Sequence, residues 1–161
     1  MEEQFCRPAT LADLMHLIAS LNAKGAQYIL IGVYALYAHG IHLATEDIDI
    51  LVPANREAAK PIIQALMLLP DKTATEIDPE WFEEGENIRL ADEFVVDLIL
   101  STCQQTYDTL IKYTEILELD GVPITTLSIE GLLLTKQSMR DKDVRDRKSL
   151  ELILRRMNDS R

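Results

Sequence analysis

The residues best suited to chemistry in this chain are three aspartates set among apolar neighbours. Asp47 and Asp49 stand two apart in "TEDIDILV" (45–52), directly before Ile50-Leu51-Val52, and Asp97 lies inside "FVVDLIL" (94–100). Strand residues two apart point to one face, so a strand over 47–52 projects Asp47 and Asp49 together and turns Ile48 and Ile50 the other way. Aspartate is disfavoured in strands and rarely buried unpaired, so Asp97 requires a partner.

If the two strands are neighbours and the carboxylates converge within ~4–5 Å, each pairwise repulsion is roughly 4 kcal/mol at an effective dielectric near 20. That is large against a domain stability of ~5–15 kcal/mol. A divalent cation relieves it, because Mg²⁺ takes hard oxygen ligands, usually one or two carboxylates together with phosphates and water. Two such ions could clamp the attacking and leaving oxygens of a phosphoryl displacement while a third carboxylate activates the attacking hydroxyl. The alternative makes Asp47 a turn cap after Thr45, leaves Asp49 in solvent and puts Asp97 at a strand end. Spacing alone leaves both open.

The elements that must position these acids follow from periodicity and punctuation. Thr10 and Asp13 form a capping box for an amphipathic helix from Leu11 to about Lys24, with Leu11, Leu14, Met15, Leu17, Ile18 and Leu21 at helical spacing. "YILIG" (28–32) reads as a buried strand and "VYALYAHG" (33–40) as a short helix closed by Gly40. "DIDILV" is a second buried strand stopped by Pro53. Asn55 caps a helix through "REAAKPIIQALMLL", kinked by Pro61.

Residues 70–93 carry no clear pattern until "GENIRLADEF", which suggests a strand and a turn leading into the strand Phe94–Leu100. "STCQQTYDTLIKY" reads as helical. "TEILELDGVPITTL" reads as a hairpin about Asp120-Gly121, Ser128 caps a helix over Ile129–Met139, and a last helix fills most of Val144–Met157. The expected architecture is α/β or α+β: a mixed sheet flanked by helices, one domain with its core at about 25–127 and a C-terminal helical pair at about 128–158.

Composition narrows the function class. At 161 residues, 47% apolar and 27% charged, the chain is of ordinary globular make-up and long enough for one sizeable core. No apolar run approaches the ~18–20 residues of a membrane span, and "MEEQFCRPAT" lacks the basic and apolar regions of a signal peptide, so a cytoplasmic protein is expected. Cys6 and Cys103 have no metal-like spacing and read as reduced thiols. A net charge of −11 weighs against nucleic acid as a partner, since phosphate backbones need clustered Lys and Arg. The basic run "KQSMRDKDVRDRK" (136–148) is interleaved with acids and reads equally as a solvated helix face.

"YILIGVYALYAHGIHLATEDIDILV", "VVDLIL" and "GVPITTLSIEGLLLTKQSMRDKDVRDRKSLELIL" together resemble the minimal nucleotidyltransferase superfamily, most closely its small AbiEii-like and antitoxin-like branch. The shared order is an apolar strand, a Gly turn opening a helix, a Thr-x-Asp-apolar-Asp signature, a third Asp on a later strand and a Lys-Asp-x-x-Asp helix. It covers residues 28–155. The resemblance implies a nucleotidyltransferase fold and transfer of a nucleoside monophosphate from a nucleoside triphosphate to a hydroxyl of a protein or small molecule, with Mg²⁺ (or Mn²⁺) as cofactor. It implies Asp47, Asp49 and Asp97 as catalytic metal ligands, and Gly32, Val33 and Thr45 as nucleotide-binding positions, the helix from Val33 offering N–H groups to phosphates. Gly121-Val122-Pro123-Ile124 matches the strand before the C-terminal helices. Lys136, Lys142, Asp143 and Asp146 match the terminal helices and are expected to form an interhelical ion-pair network rather than touch substrate.

Two positions depart from the family pattern. Val33 stands where the turn carries Gly or Ser, and Leu43, beside His42, stands where an Arg often precedes the signature. Both subtract phosphate contacts. The second function implied by the resemblance is therefore a catalytically weak binding module that pairs with a protein such as a toxin.

Overall fold

Thr10 opens the first helix through the expected capping box: its hydroxyl accepts from the Asp13 N–H, and the Asp13 carboxylate accepts from the Thr10 N–H. In this computed structural model, which describes residues 6–41 and 47–159, helix α1 runs Leu11–Ala23 and buries Leu14, Leu17, Ile18 and Leu21. Strand β1 (Ile29–Ile31) follows and passes directly into α2 (Gly32–Ala38). Strand β2 (Ile48–Leu51) precedes α3 (Arg56–Leu66), whose first turn is capped by the Asn55 side chain accepting from the Ala58 N–H. Pro61 sits inside α3, and the helix continues through it.

Residues 70–93 contain a 3₁₀ turn at Thr73–Glu76, helix α4 (Glu80–Glu84) and strand β3 (Ile88–Ala91). Their anchor is Asp92, a buried carboxylate that accepts from the N–H groups of Asp71, Thr73 and Glu93 and from the Thr73 hydroxyl. Strand β4 (Val95–Ile99) then carries Asp97.

The helix expected over "STCQQTYDTLIKY" is corrected to a single turn, α5 (Tyr107–Leu110), extended by a 3₁₀ turn at Ile111–Tyr113. Cys103 and Gln104 both take left-handed backbone (φ 48° and 65°), while Thr102 and Gln105 exchange backbone hydrogen bonds around them. Two consecutive left-handed residues end any right-handed helix.

Strands β5 (Thr114–Leu119) and β6 (Val122–Leu127) form the expected hairpin. Asp120 and Gly121 both have positive φ (49° and 80°), the backbone that a two-residue type I′ turn demands.

Helix α6 (Ile129–Leu134), capped by Ser128, is shorter than the expected span to Met139: the N–H groups of Thr135 and Lys136 close it with i−3 bonds to Leu132 and Leu133. The last helix, α7, begins at Asp141 rather than Val144 and runs to Asp159.

The six strands form one mixed sheet in the order β3-β4-β2-β1-β6-β5. The central strands β1 and β2 run antiparallel, with β4 parallel to β2 and β6 parallel to β1. Helices flank the sheet, α1 packing against α3 and α6 against α7. The expected class, a mixed sheet with helices and a C-terminal helical pair, holds. Ile48, Ile50, Leu51, Val96 and Leu98 are wholly buried, so register is fixed: a one-residue slip of β2 or β4 would put aspartate into the core. Among the described residues no helix is long and apolar enough to cross a membrane.

Candidate functional site

The sheet register brings the acids together. Asp49 on β2 pairs directly with Asp97 on the parallel neighbour β4, and on its other side with Ile31, the last residue of β1. The chain leaves β1 at Gly32, so the Asp49 carboxylate lies against the start of α2. A Cβ on residue 32 would stand 2.6 Å from Asp49 Oδ2, and Gly32 has φ +73°. Only glycine meets both conditions without strain. Asp47 directly precedes β2 rather than lying within it, a correction to the continuous strand expected over 47–52.

Asp49 and Asp97 are close enough for a hydrogen bond between their carboxyls. Burial pushes the Asp49 carboxyl up to about 7; the charge of Asp97, that hydrogen bond and the charge of Asp47 push the same way, and Lys136 opposes them. The anticipated repulsion between strand acids is thus present at Asp49.

A residue outside the sequence motifs answers part of it. Arg89 on β3 lies opposite Asp97 in the antiparallel β3–β4 pair. Its Nε donates to Asp97 Oδ1 at 3.0 Å and its Nη2 to Asp97 Oδ2 at 3.1 Å, a bidentate grip; Nη2 also reaches Asp47 Oδ2 at 3.4 Å. The signal for it lies in the chain: a turn over residues 92–94 pairs Ala91 with Val95, and counting outward meets Arg89 with Asp97.

On the other side, Asp49 opens into a cavity of about 350 Å³ between α2 and the C-terminal helices. Gly32, Val33, Lys136, Lys142 and Asp146 line it together with an apolar wall that includes Leu132 and Ile153. The expected ion-pair network is there in part: Lys136 Nζ lies 3.3 Å from Asp146 and 4.0 Å from the buried Asp143, whereas Lys142 lines the cavity outside these pairs. Ser138 and Arg140 also donate to Asp143. Burial alone would raise the Asp143 carboxyl, but these hydrogen bonds and the charges of Arg140 and Lys136 hold it below its ordinary value. Lys136 therefore belongs both to the helix junction and to the cavity that Asp49 faces.

Thr45, along with His42 and Leu43, lies outside the described residues. Val33 reaches the cavity as a methyl-bearing side chain, so no hydroxyl is offered at that turn.

Among the described residues, no group of three His, Cys, Asp or Glu side chains is disposed to hold a metal ion. What the fold brings together is the Asp49–Asp97 pair, with Asp97 and Asp47 held by the same Arg89 guanidinium. Two carboxylates match the number that Mg²⁺ commonly takes from a protein. The donor set fits a hard divalent cation.

No family model matches the chain, and no curated protein matches it. Among solved structures it is similar to a "putative nucleotidyltransferase" of Thermotoga maritima, at 18% identity and a TM-score of 0.55, over 99% of this chain and 98% of that one. At this identity the likeness is one of fold: the six-stranded mixed sheet with flanking helices is a nucleotidyltransferase fold.

Proposed function

We propose that the protein is a divalent-metal-dependent nucleotidyltransferase that moves a nucleoside monophosphate from a nucleoside triphosphate to the hydroxyl of a protein side chain or small molecule. The observation that carries this reading is the in-register pairing of Asp49 with Asp97 above the bare Cα of Gly32, at the mouth of a cavity containing two lysines.

Asp49 and Asp97 would hold Mg²⁺ or Mn²⁺, with Asp47 as a further carboxylate. The ion when bound supplies charge neutralisation for the triphosphate. The chain's own residues do the rest. Lys136 and Lys142 offer ammonium groups to phosphate oxygens, Gly32 allows close backbone approach, and the wall containing Leu132 and Ile153 receives an apolar base face. Asp97 takes the proton of the acceptor hydroxyl as its oxygen attacks the α-phosphorus. The bond from that phosphorus to the β-phosphate oxygen breaks, and pyrophosphate leaves with the electron pair.

Calorimetric titration of the protein with each nucleoside triphosphate in the presence of Mg²⁺ tests the reading. Heat of binding with the wild type, lost in Asp49→Asn, is expected; no heat with any nucleotide, or equal heat in both proteins, sinks it.

One observation favours the second reading, a catalytically weak module that works by pairing with a toxin-like protein: Arg89 already neutralises Asp97 and Asp47 from within the chain. Copurification with a small partner encoded beside it supports that reading, and a solitary monodisperse protein counts against it.

A further inference from the structure

We propose that Arg89 is a built-in counter-cation of the aspartate site, a positioning residue that occupies the charge position in the metal-free protein and must swing aside for a divalent ion to enter. The inference rests on the metal-dependent reading above and adds a competition between side chain and ion.

Three observations carry it. The guanidinium bridges two of the three acids, bidentate on Asp97 and single on Asp47, so it occupies acceptor lone pairs that an ion needs. Its guanidinium faces water: the Arg89 side chain is 65% exposed while that of Asp97 is 14% exposed, so release returns the arginine to water and leaves the acid in place. Finally, it has somewhere to go. Arg89 itself also lines a groove of about 310 Å³, together with Trp81, Glu84, Glu86, Asn87 and Ile88. Two carboxylates and an indole offer an arginine new ion pairs and a stacking surface. The side chain therefore stands between two acidic environments, and a bound ion would shift it from the first to the second.

The test uses Mn²⁺ alone as the probe, free-ion concentration being read by electron paramagnetic resonance. Arg89→Gln, which removes the charge and keeps much of the length, should bind Mn²⁺ about tenfold more tightly than the wild type. Arg89→Lys, which keeps the charge but loses the bidentate fork, should lie between them. Without metal, Arg89→Gln should melt below the wild type, and saturating Mn²⁺ should raise its melting temperature more than it raises that of the wild type. Binding that is unchanged or weaker in Arg89→Gln overturns the competition while leaving the metal-dependent reading intact. Absence of Mn²⁺ binding in all three proteins overturns both. A groove variant separates the destination from the release: Glu84→Gln/Glu86→Gln should weaken Mn²⁺ binding in the Arg89 protein and leave it unchanged in Arg89→Gln. Equal weakening in both backgrounds overturns the two-position switch.

Discussion

Asp49 and Gly32 occupy each other's space: Asp49 Oδ2 lies 2.6 Å from where a Cβ on residue 32 would stand, and the glycine holds φ +73°. On this side the carboxylate is therefore seated on bare backbone, with the Asp97 carboxyl on the other. Gly32→Ala must both adopt a left-handed backbone and displace the acid. The expected cost is about 2–4 kcal/mol, combining the backbone strain with displacement of a buried group. Urea denaturation checks it. A loss below about 0.5 kcal/mol, within the range of ordinary surface changes, would show that the acid has room to move.

The raised proton affinity of Asp49 fixes the sign of a pH effect. An acid whose folded value is raised to about 7 from 3.8 is more readily protonated in the native state than in the unfolded chain. Its contribution to stability is then fully present below pH 3.8 and lost as pH rises through 7. Every tenfold difference in proton affinity between the two states is worth about 1.4 kcal/mol, so the total loss is of the order of a few kcal/mol. Asp49→Asn should thus be more stable than the wild type at pH 8, with the advantage shrinking towards pH 4. Denaturant titrations at the two pH values measure it; an advantage independent of pH would remove Asp49 as the titrating group.

How much of this was legible beforehand depends on whether the determinants are local. The acids of β2 and β4, the Asp-Gly turn and the capping box at Thr10 are written in short windows whose chemistry is self-contained. The turn at Cys103 and Gln104 was not, because neither residue type advertises a left-handed backbone. Arg89 was half legible, since its pairing with Asp97 follows once the β3–β4 turn is placed. The seat of Asp49 on Gly32 was not, because it depends on β1 lying beside β2, a pairing that no local pattern specifies. Lys136 showed its helix-junction role but not its position in the cavity facing Asp49.

Asp143 is the buried charge that joins α7 to the segment after α6. Its side chain is fully buried and receives Ser138 and Arg140, with Lys136 at 4.0 Å. Asp143→Ala strips those donors of their acceptor, at an expected cost of about 2–3 kcal/mol. Because its carboxyl is held below the ordinary value, the stability it gives is present above pH 3.8 and lost as pH falls through the lowered value. The acid limb of the wild-type stability curve should accordingly flatten in Asp143→Ala. Chemical denaturation at neutral and acid pH reads both effects, and a variant as stable as the wild type would mean that the ion pairs at this junction are solvated.

Lys136 holds two positions at once, 3.3 Å from Asp146 and on the wall of the cavity that Asp49 faces. A purely structural lysine and a phosphate-contacting lysine make different pairs of variants behave differently. Asp146→Asn removes the ion pair and leaves the ammonium in place; Lys136→Met removes the ammonium and keeps much of the aliphatic stem. The pair is partly exposed, so each variant should lose no more than about 1 kcal/mol of stability. If Lys136 meets the triphosphate, Lys136→Met should weaken Mg²⁺-nucleotide binding by about tenfold, one charge-assisted contact. Asp146→Asn should leave that affinity unchanged or tighten it, because the lysine is freed. Calorimetry on the two variants decides the matter, and equal affinities in both would confine Lys136 to the helix junction.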